Sequence, residues 1–317
     1  VIISLSETNS SEIAREIVRL REKGGAVALG RVLTLVVVAG QNENEEAINA
    51  ANHASGEHPM RVIVVHTQLQ EPESRLDAEI RVGSDAGASE VIVLHASGAT
   101  AHDPAALVQP LLLPDAPIVT WWPEHSSLKP SETRLGKMAQ LRITDTHFSE
   151  HAEATLVQLA EGYADGDTNL AWTRITRWRA QLAAVLDQPP YLPVLRAEVD
   201  YSAPSTSTLL MAGWLAEFLQ VPVTMHKVDG EVPGNLRAVR LYRENGQIEL
   251  SRTSKATAIL RQPDQPDQVI PLVLRDRYDV LNEELRSLAP DPVYAATLKG
   301  GVPRVLASRG TVKFPEE

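Results

Sequence analysis

The chain has 317 residues, enough for two domains that each bury their own core. Its 41 acidic and 30 basic residues leave a formal charge of −11, a field that repels nucleic acid and anionic membranes, because such binding rests on neutralising phosphates. A local basic patch for a small phosphate is untouched by that argument. There is no cysteine, which excludes disulfides, thiolate nucleophiles, iron–sulfur clusters and thiol switching on this chain and fits a cytoplasmic protein.

The N-terminal segment lacks the basic start and apolar block of a signal peptide. Ser10 or Ser11 caps a helix through about Glu22, with Ile13, Ile17 and Leu20 on one face and Gly24-Gly25 as the stop. Arg31 to Ala39 (RVLTLVVVA) reads as a strand buried on both faces; as the longest apolar run it falls far short of the ~20 residues of a membrane span. Helix-forming composition over Glu43 to Ser55 leads to buried strands at Arg61 to His66 and Val91 to His95. Between them, Leu76 to Val82 alternates apolar and charged residues, as a half-exposed or edge strand does. A short helix over Asp103 to Val108, a strand at Pro117 to Trp122, a further extended segment at Met138 to Thr144 and a helix over His151 to Tyr163 follow. Short β-branched runs alternating with helices predict a doubly wound, mostly parallel α/β domain over residues 1–166.

From Thr168, a plausible N-cap, a helix is expected to run to Pro189-Pro190, with Trp172, Ile175, Trp178, Leu182 and Leu186 at helical spacing. The domain boundary is placed before this helix, with the Pro-rich segment Gln188 to Pro193 as its competitor. The second half reads as an α+β domain over residues 167–317. It has a strand at Val194 to Tyr201, a helix at Ser205 to Gln220, a strand at Val223 to Val228, and then a four-strand antiparallel meander. Asn245-Gly246 inside that meander is a hairpin signal. Helices are expected over Asp276 to Leu288 and Asp291 to Leu298, and the segment after Gly300 reads as a loose tail.

Candidate chemistry is sparse. GGAVALG (Gly24 to Gly30) precedes a strand, whereas phosphate-binding loops follow one, so it reads as a helix stop. RVGSDAGASE follows a strand, and its Gly83 and Gly87 permit a tight turn whose amides, with Arg81 adjacent, suit an anion; the competing reading is a plain connection. His147 and His151 lie four apart in HFSEH, without the HExxH pattern of zinc enzymes; surface chance explains them, and His53 with His58 is weaker still. No metal and no cofactor is expected. No GxSxG elbow is present, and Ser202, Ser205 and Ser207 read as turn and cap residues.

The tryptophans and their arginines stand out, because aromatic anchors mixed with Arg are what binding surfaces use. Trp121 and Trp122 end a strand, so one of the pair is expected to point away from the core, unless both pack under helices. Trp172 lies six residues from Trp178, off the centre of the core stripe, and is expected at an interface with Arg174 and Arg177 flanking; Arg179 is placed elsewhere on the surface. A contact between the chain's own domains competes with a partner contact.

Several blocks, taken in order, resemble the glucose-6-phosphate dehydrogenase assembly protein OpcA family. They are LREKGGAVALGRVLTLVVV (Leu20 to Val38), EHPMRVIVV (Glu57 to Val65), LDAEIRVGSDAGASEVIVL (Leu76 to Leu94), LLLPDAPIVTWWP (Leu111 to Pro123) and GDTNLAWTRITRWRAQLAAVLDQPP (Gly166 to Pro190). The resemblance implies a non-catalytic effector that binds glucose-6-phosphate dehydrogenase, at the start of the oxidative pentose phosphate pathway, and supports its assembly or activity. Trp121, Trp122, Trp172, Arg174 and Arg177 are then the expected partner-facing residues. The rival expectation is a sugar-phosphate or nucleotide-binding enzyme using the Arg81–Gly87 turn.

Overall fold

The computed structural model describes residues 2–24, 32–39, 44–82, 90–123, 128–147 and 149–309. In chain order the first elements are β1 (Ile2–Leu5), α1 (Ser10–Gly24), β2 (Leu33–Ala39), α2 (Asn44–Ser55), β3 (Met60–Gln68), β4 (Arg75–Arg81) and β5 (Glu90–Ser97). Then come α3 (Pro104–Val108), β6 (Ile118–Trp122), α4 (Arg134–Met138), β7 (Leu141–Thr144), α5 (Ala152–Glu161), β8 (Asp167–Asn169), α6 (Leu170–Thr173) and α7 (Thr176–Leu186). The remainder is β9 (Arg196–Tyr201), α8 (Thr206–Leu219), β10 (Val223–Lys227), β11 (Leu236–Arg243), β12 (Gly246–Arg252), β13 (Thr257–Arg261), β14 (Gln268–Pro271), α9 (Arg277–Glu284), α10 (Pro292–Ala296) and α11 (Val302–Arg309).

The chain folds into two compact units, and it crosses between them repeatedly. The first contains residues 1–145, 164–168 and 277–290; the second contains 146–163, 169–276 and 291–317. The sequence places a single boundary at 166, whereas each unit is assembled from three separate stretches of the chain, and β8, just after that boundary, belongs to the first sheet.

The first unit is built on a sheet of order β1-β4-β5-β3-β2-β6-β7-β8. β5, β3, β2, β6 and β7 run parallel, and the chain reverses its winding between β2 and β6, which makes the sheet doubly wound. β2 and β3 are buried almost throughout, as strands covered on both faces must be. β4 alternates between buried and half-buried residues as its sequence predicts, yet it is not the edge. The short β1, which has no sequence signal of its own, pairs antiparallel with β4 and takes that place. α9 reaches this unit from far along the chain. Its buried Arg277 forms ion pairs with Glu46 (3.3 Å) and Asp145 (3.6 Å), and Tyr278 packs its ring against His53.

The second unit has a sheet of order β10-β9-β11-β12-β13-β14. Only the β9–β10 pair is parallel, and β11 to β14 form the expected meander. The β11–β12 loop is Glu244-Asn245, with Arg243 paired to Gly246, so Gly246 opens the next strand instead of occupying the turn centre. Its φ of +131° explains why glycine stands there. One sheet face is apolar, with Val199, Val239, Leu241, Ile248 and Leu250 buried. The opposite face carries an ion-pair ladder in which Arg240 bonds Asp200 and Glu249.

α8 is apolar nearly all round and correspondingly buried, and it starts with a capping box in which Ser205 and Thr208 bond each other's backbone amide. Against it packs the segment expected to be a loose tail. A π-helical turn at Thr297–Gly301 leads into α11, whose Val302, Val305 and Leu306 are buried. The approach is backbone to backbone, since a Cβ at Gly301 would lie 2.0 Å from the Gly213 carbonyl oxygen. The sequence shows no periodicity here because the π turn shifts the helical phase.

Two stability predictions follow from this packing. Gly301→Ala should lose about 1–3 kcal/mol in urea unfolding, the range for overpacking, since the obstacle is backbone and cannot rotate away. In the first unit, Arg61 and Glu90 are cross-strand partners on β3 and β5, nearly fully buried and 2.6 Å apart. Glu90→Gln leaves a buried guanidinium without its counter-charge and should cost about 3 kcal/mol by the same measurement.

Candidate functional site

The segment expected to be one helix from Thr168 is two helices. Thr168 lies in β8, where its hydroxyl donates to Glu284 Oε1 (2.8 Å) and its carbonyl accepts from the Thr144 hydroxyl (3.0 Å), so it is no cap. Asn169 is the cap instead, its Oδ1 accepting from the Ala171 amide (2.8 Å). The helix then breaks at Arg174–Ile175 before α7 begins.

The tryptophans on either side of that break are both buried. Trp172 is only 2% exposed, and Ile175, Trp178, Leu182 and Val185 are buried with it. The Trp172 indole N–H donates to Asp291 Oδ2 (2.8 Å), Tyr294 packs at 5.7 Å between ring centroids, and the Arg179 guanidinium lies 3.4 Å over the ring. Arg179 is thus half-buried and stacked, not a free surface residue. Trp121 and Trp122 are 0% and 5% exposed, the second within the core of the first unit beside Ile13 and Leu135, so neither points outward. Of the expected set, Arg174 is half-buried and Arg177 exposed. The residues that follow Trp122 and those that follow β2 fall partly outside the described residues.

Gly83 and Gly87 of the Arg81–Gly87 turn lie outside the described residues, as does most of GGAVALG. Arg81 itself ends β4 and forms an ion pair with Glu79. Among the described residues no cluster of three His, Asp or Glu could hold a metal, and no helix is long and apolar enough to cross a membrane.

The break between α6 and α7 also opens a cavity of about 230 Å³ within the second unit. His147, Arg174, Trp178, Ser207, Arg252 and Arg275 contribute to its lining, and none of the described lining residues is acidic. Ile175, Leu236 and Leu274 add apolar wall. Arg252 occupies the inward position of β12 that follows Ile248 and Leu250 by strict alternation, and it is only 7% exposed. Its Nη1 donates to the Ser254 carbonyl (3.2 Å) and the Leu272 carbonyl (2.5 Å), its guanidinium lies 5.5 Å from the Trp178 ring centre, and its Nε is buried without a hydrogen-bond partner. Burial, and secondarily the charge of Arg237, push the Arg252 guanidinium down to about 10. Arg237 is the extra residue of a bulge between Leu236 and Ala238, where its Nη2 donates to the Gly230 carbonyl (3.1 Å). Arg275 Nη1 donates to the Thr173 carbonyl (2.9 Å).

The sequence assigns Arg174 to a partner-facing surface and gives no cavity-lining role to Arg252, Arg275 or His147. One signal was present: an arginine at an inward strand position is a violation of the alternation that surrounds it. Asp291 is also more than a cap. It accepts from the amides of Val293 (2.8 Å) and Tyr294 (3.0 Å) through Oδ1 while holding Trp172 through Oδ2. Asp291→Ala should therefore lose about 2 kcal/mol in thermal or urea unfolding, more than a helix cap alone, because it also strands a buried indole N–H.

Comparison with known proteins supplies the family. Residues 51–161 match the family model described as glucose-6-phosphate dehydrogenase subunit N-terminal domain, and residues 165–298 match the corresponding C-terminal domain. Among curated proteins, none matches this sequence. Similar solved structures include myo-inositol dehydrogenase from Lactobacillus casei in complex with NAD(H) and myo-inositol, at 10% identity and TM-score 0.43, covering 90% of this chain and 98% of that one. An oxidoreductase from Sinorhizobium meliloti aligns at 11% identity and TM-score 0.42, covering 88% and 90%. Likeness this distant says nothing of ligand or reaction. With both domain models matched in order along most of its length, the chain belongs to the OpcA family of glucose-6-phosphate dehydrogenase subunits.

Proposed function

We propose that this chain is a non-catalytic effector that binds glucose-6-phosphate dehydrogenase and promotes its assembly or activity, acting in the cytoplasm. The observation that carries the reading is the ordered match to both domains of a glucose-6-phosphate dehydrogenase subunit family. The physical mechanism is linkage. A protein that binds the active conformation or oligomer of an enzyme more tightly than the inactive one shifts the enzyme towards it by that affinity difference. A preference of about 3 kcal/mol is a shift of more than a hundredfold, so a modest interface suffices.

In this reading half-buried Arg174 and exposed Arg177 contribute to the dehydrogenase-facing surface. Trp172, stacked under Arg179 and anchored to Asp291, would act from beneath, holding the α6–α7 segment that carries both arginines. Trp121 and Trp122 would serve the first unit in the same indirect way.

Titrating the protein into a dehydrogenase assay with the enzyme of the same organism should give a saturable change in activity, and the two should co-elute in size exclusion. Arg177→Glu should weaken the complex by about tenfold or more while thermal unfolding of the free chain stays unchanged, since reversing a charge at an interface sets like charges against each other. Separate elution with unaltered kinetics, using folded partners, would reject the reading.

A further inference from the structure

We propose that the cavity between α7, α8 and the β11–β12 end of the second sheet is a binding site for a small phosphomonoester, with Arg252, Arg174 and Arg275 taking the phosphate and Trp178 taking the body of the molecule. The inference stands on the cavity alone and does not depend on any partner protein.

Arg252 is the central observation. A guanidinium this buried is ordinarily neutralised by a carboxylate, because an uncompensated buried charge is costly. Here no carboxylate among the described residues makes an ion pair with it, its Nε has no hydrogen-bond partner, and the nearby charge acting on it is a second arginine, Arg237. The fold therefore holds a cation at the wall of a cavity, lets it keep only two backbone carbonyls, and surrounds the same space with Arg174, Arg275 and His147. A dianionic phosphate supplies both the charge and the acceptor oxygens that Arg252 lacks, and planar guanidinium groups match its geometry.

The remaining lining limits the ligand. The Trp178 ring with Ile175, Leu236 and Leu274 offers apolar surface to a compact non-ionic body, and the Ser207 hydroxyl adds a polar contact. A volume of about 230 Å³ lies below the usual range for ligand pockets, which begins at roughly 300 Å³, and is too small for a dinucleotide. The net charge of −11 is no obstacle, since it is the local field in the cavity that a small anion meets.

The test is isothermal titration and thermal unfolding of the free full-length chain at matched ionic strength, using inorganic phosphate, a hexose monophosphate and the neutral hexose. The expected result is saturable binding of the hexose monophosphate, weaker binding of inorganic phosphate, and no response to the neutral hexose. Equal affinity for both phosphates would overturn the role of Trp178, and no saturable binding of either would overturn the site. Arg252→Met should abolish the phosphate response while the unligated chain melts at the same or a higher temperature, because a buried charge lacking a partner has been removed. Should that variant fail to fold, Arg275→Gln, at a half-buried position, should weaken binding by about tenfold or more, the worth of a charged hydrogen bond. Binding unchanged in both variants would place the phosphate elsewhere and sink the proposal.

Discussion

Asn169 fixes the second unit. Its side chain is fully buried, with Nδ2 donating to the Thr146 hydroxyl (2.9 Å) and Oδ1 capping the first turn of α6 (2.8 Å). The Thr146 hydroxyl continues to Thr206 Oγ1 (3.1 Å), and the Thr206 hydroxyl also lies 3.1 Å from the Thr146 carbonyl. Ser207 donates to the Ala171 carbonyl (2.9 Å). A network of this kind sets the starting points of α6 and α8 together. A buried polar group left unmatched would cost about 1–3 kcal/mol, so a shifted register of either helix is disfavoured.

The consequences run outward from that network. Because α6 begins at Leu170 and ends after one turn, Trp172 enters the core and the chain must restart at Thr176. The restart brings Trp178 inward on α7 and leaves Arg174 at the break, facing the cavity. Asp291 then fastens the same segment from the far end of the chain through the Trp172 indole. Trp172, which reads as part of a binding surface, is in this way buried, and Arg174 lies at the break.

The two roles assigned to this region use different properties of arginine. Exposed Arg177 can steer and pair with a protein partner through solvent, where a charge is worth little in stability and more in specificity. Buried Arg252 acts in a low-dielectric cavity, where the same charge is costly when uncompensated and correspondingly strong toward an anion. Trp178, lying 5.5 Å from Arg252, offsets part of that cost through its π face without neutralising the charge.

The sequence by itself determined the elements whose signal is local. Continuous β-branched runs such as Leu33–Ala39 and Met60–Gln68 specify strands buried on both faces, and alternation with helices specifies the doubly wound order. The meander was legible from its short runs and the turn residues between them, though Gly246 opens a strand and does not sit in the turn, and family membership was legible from ordered blocks. What only the tertiary structure decided depends on contacts between residues far apart in the chain. These include β1 capping the sheet edge, α9 returning to the first unit, the phase break at Arg174–Ile175, and α11 closing on α8 through Gly213 and Gly301. The candidate site belongs to that second class. Arg174, Arg252 and Arg275 lie far apart in the chain and share no motif, so their convergence on one cavity follows from the packing of α7 and α8 against the sheet and not from any local pattern.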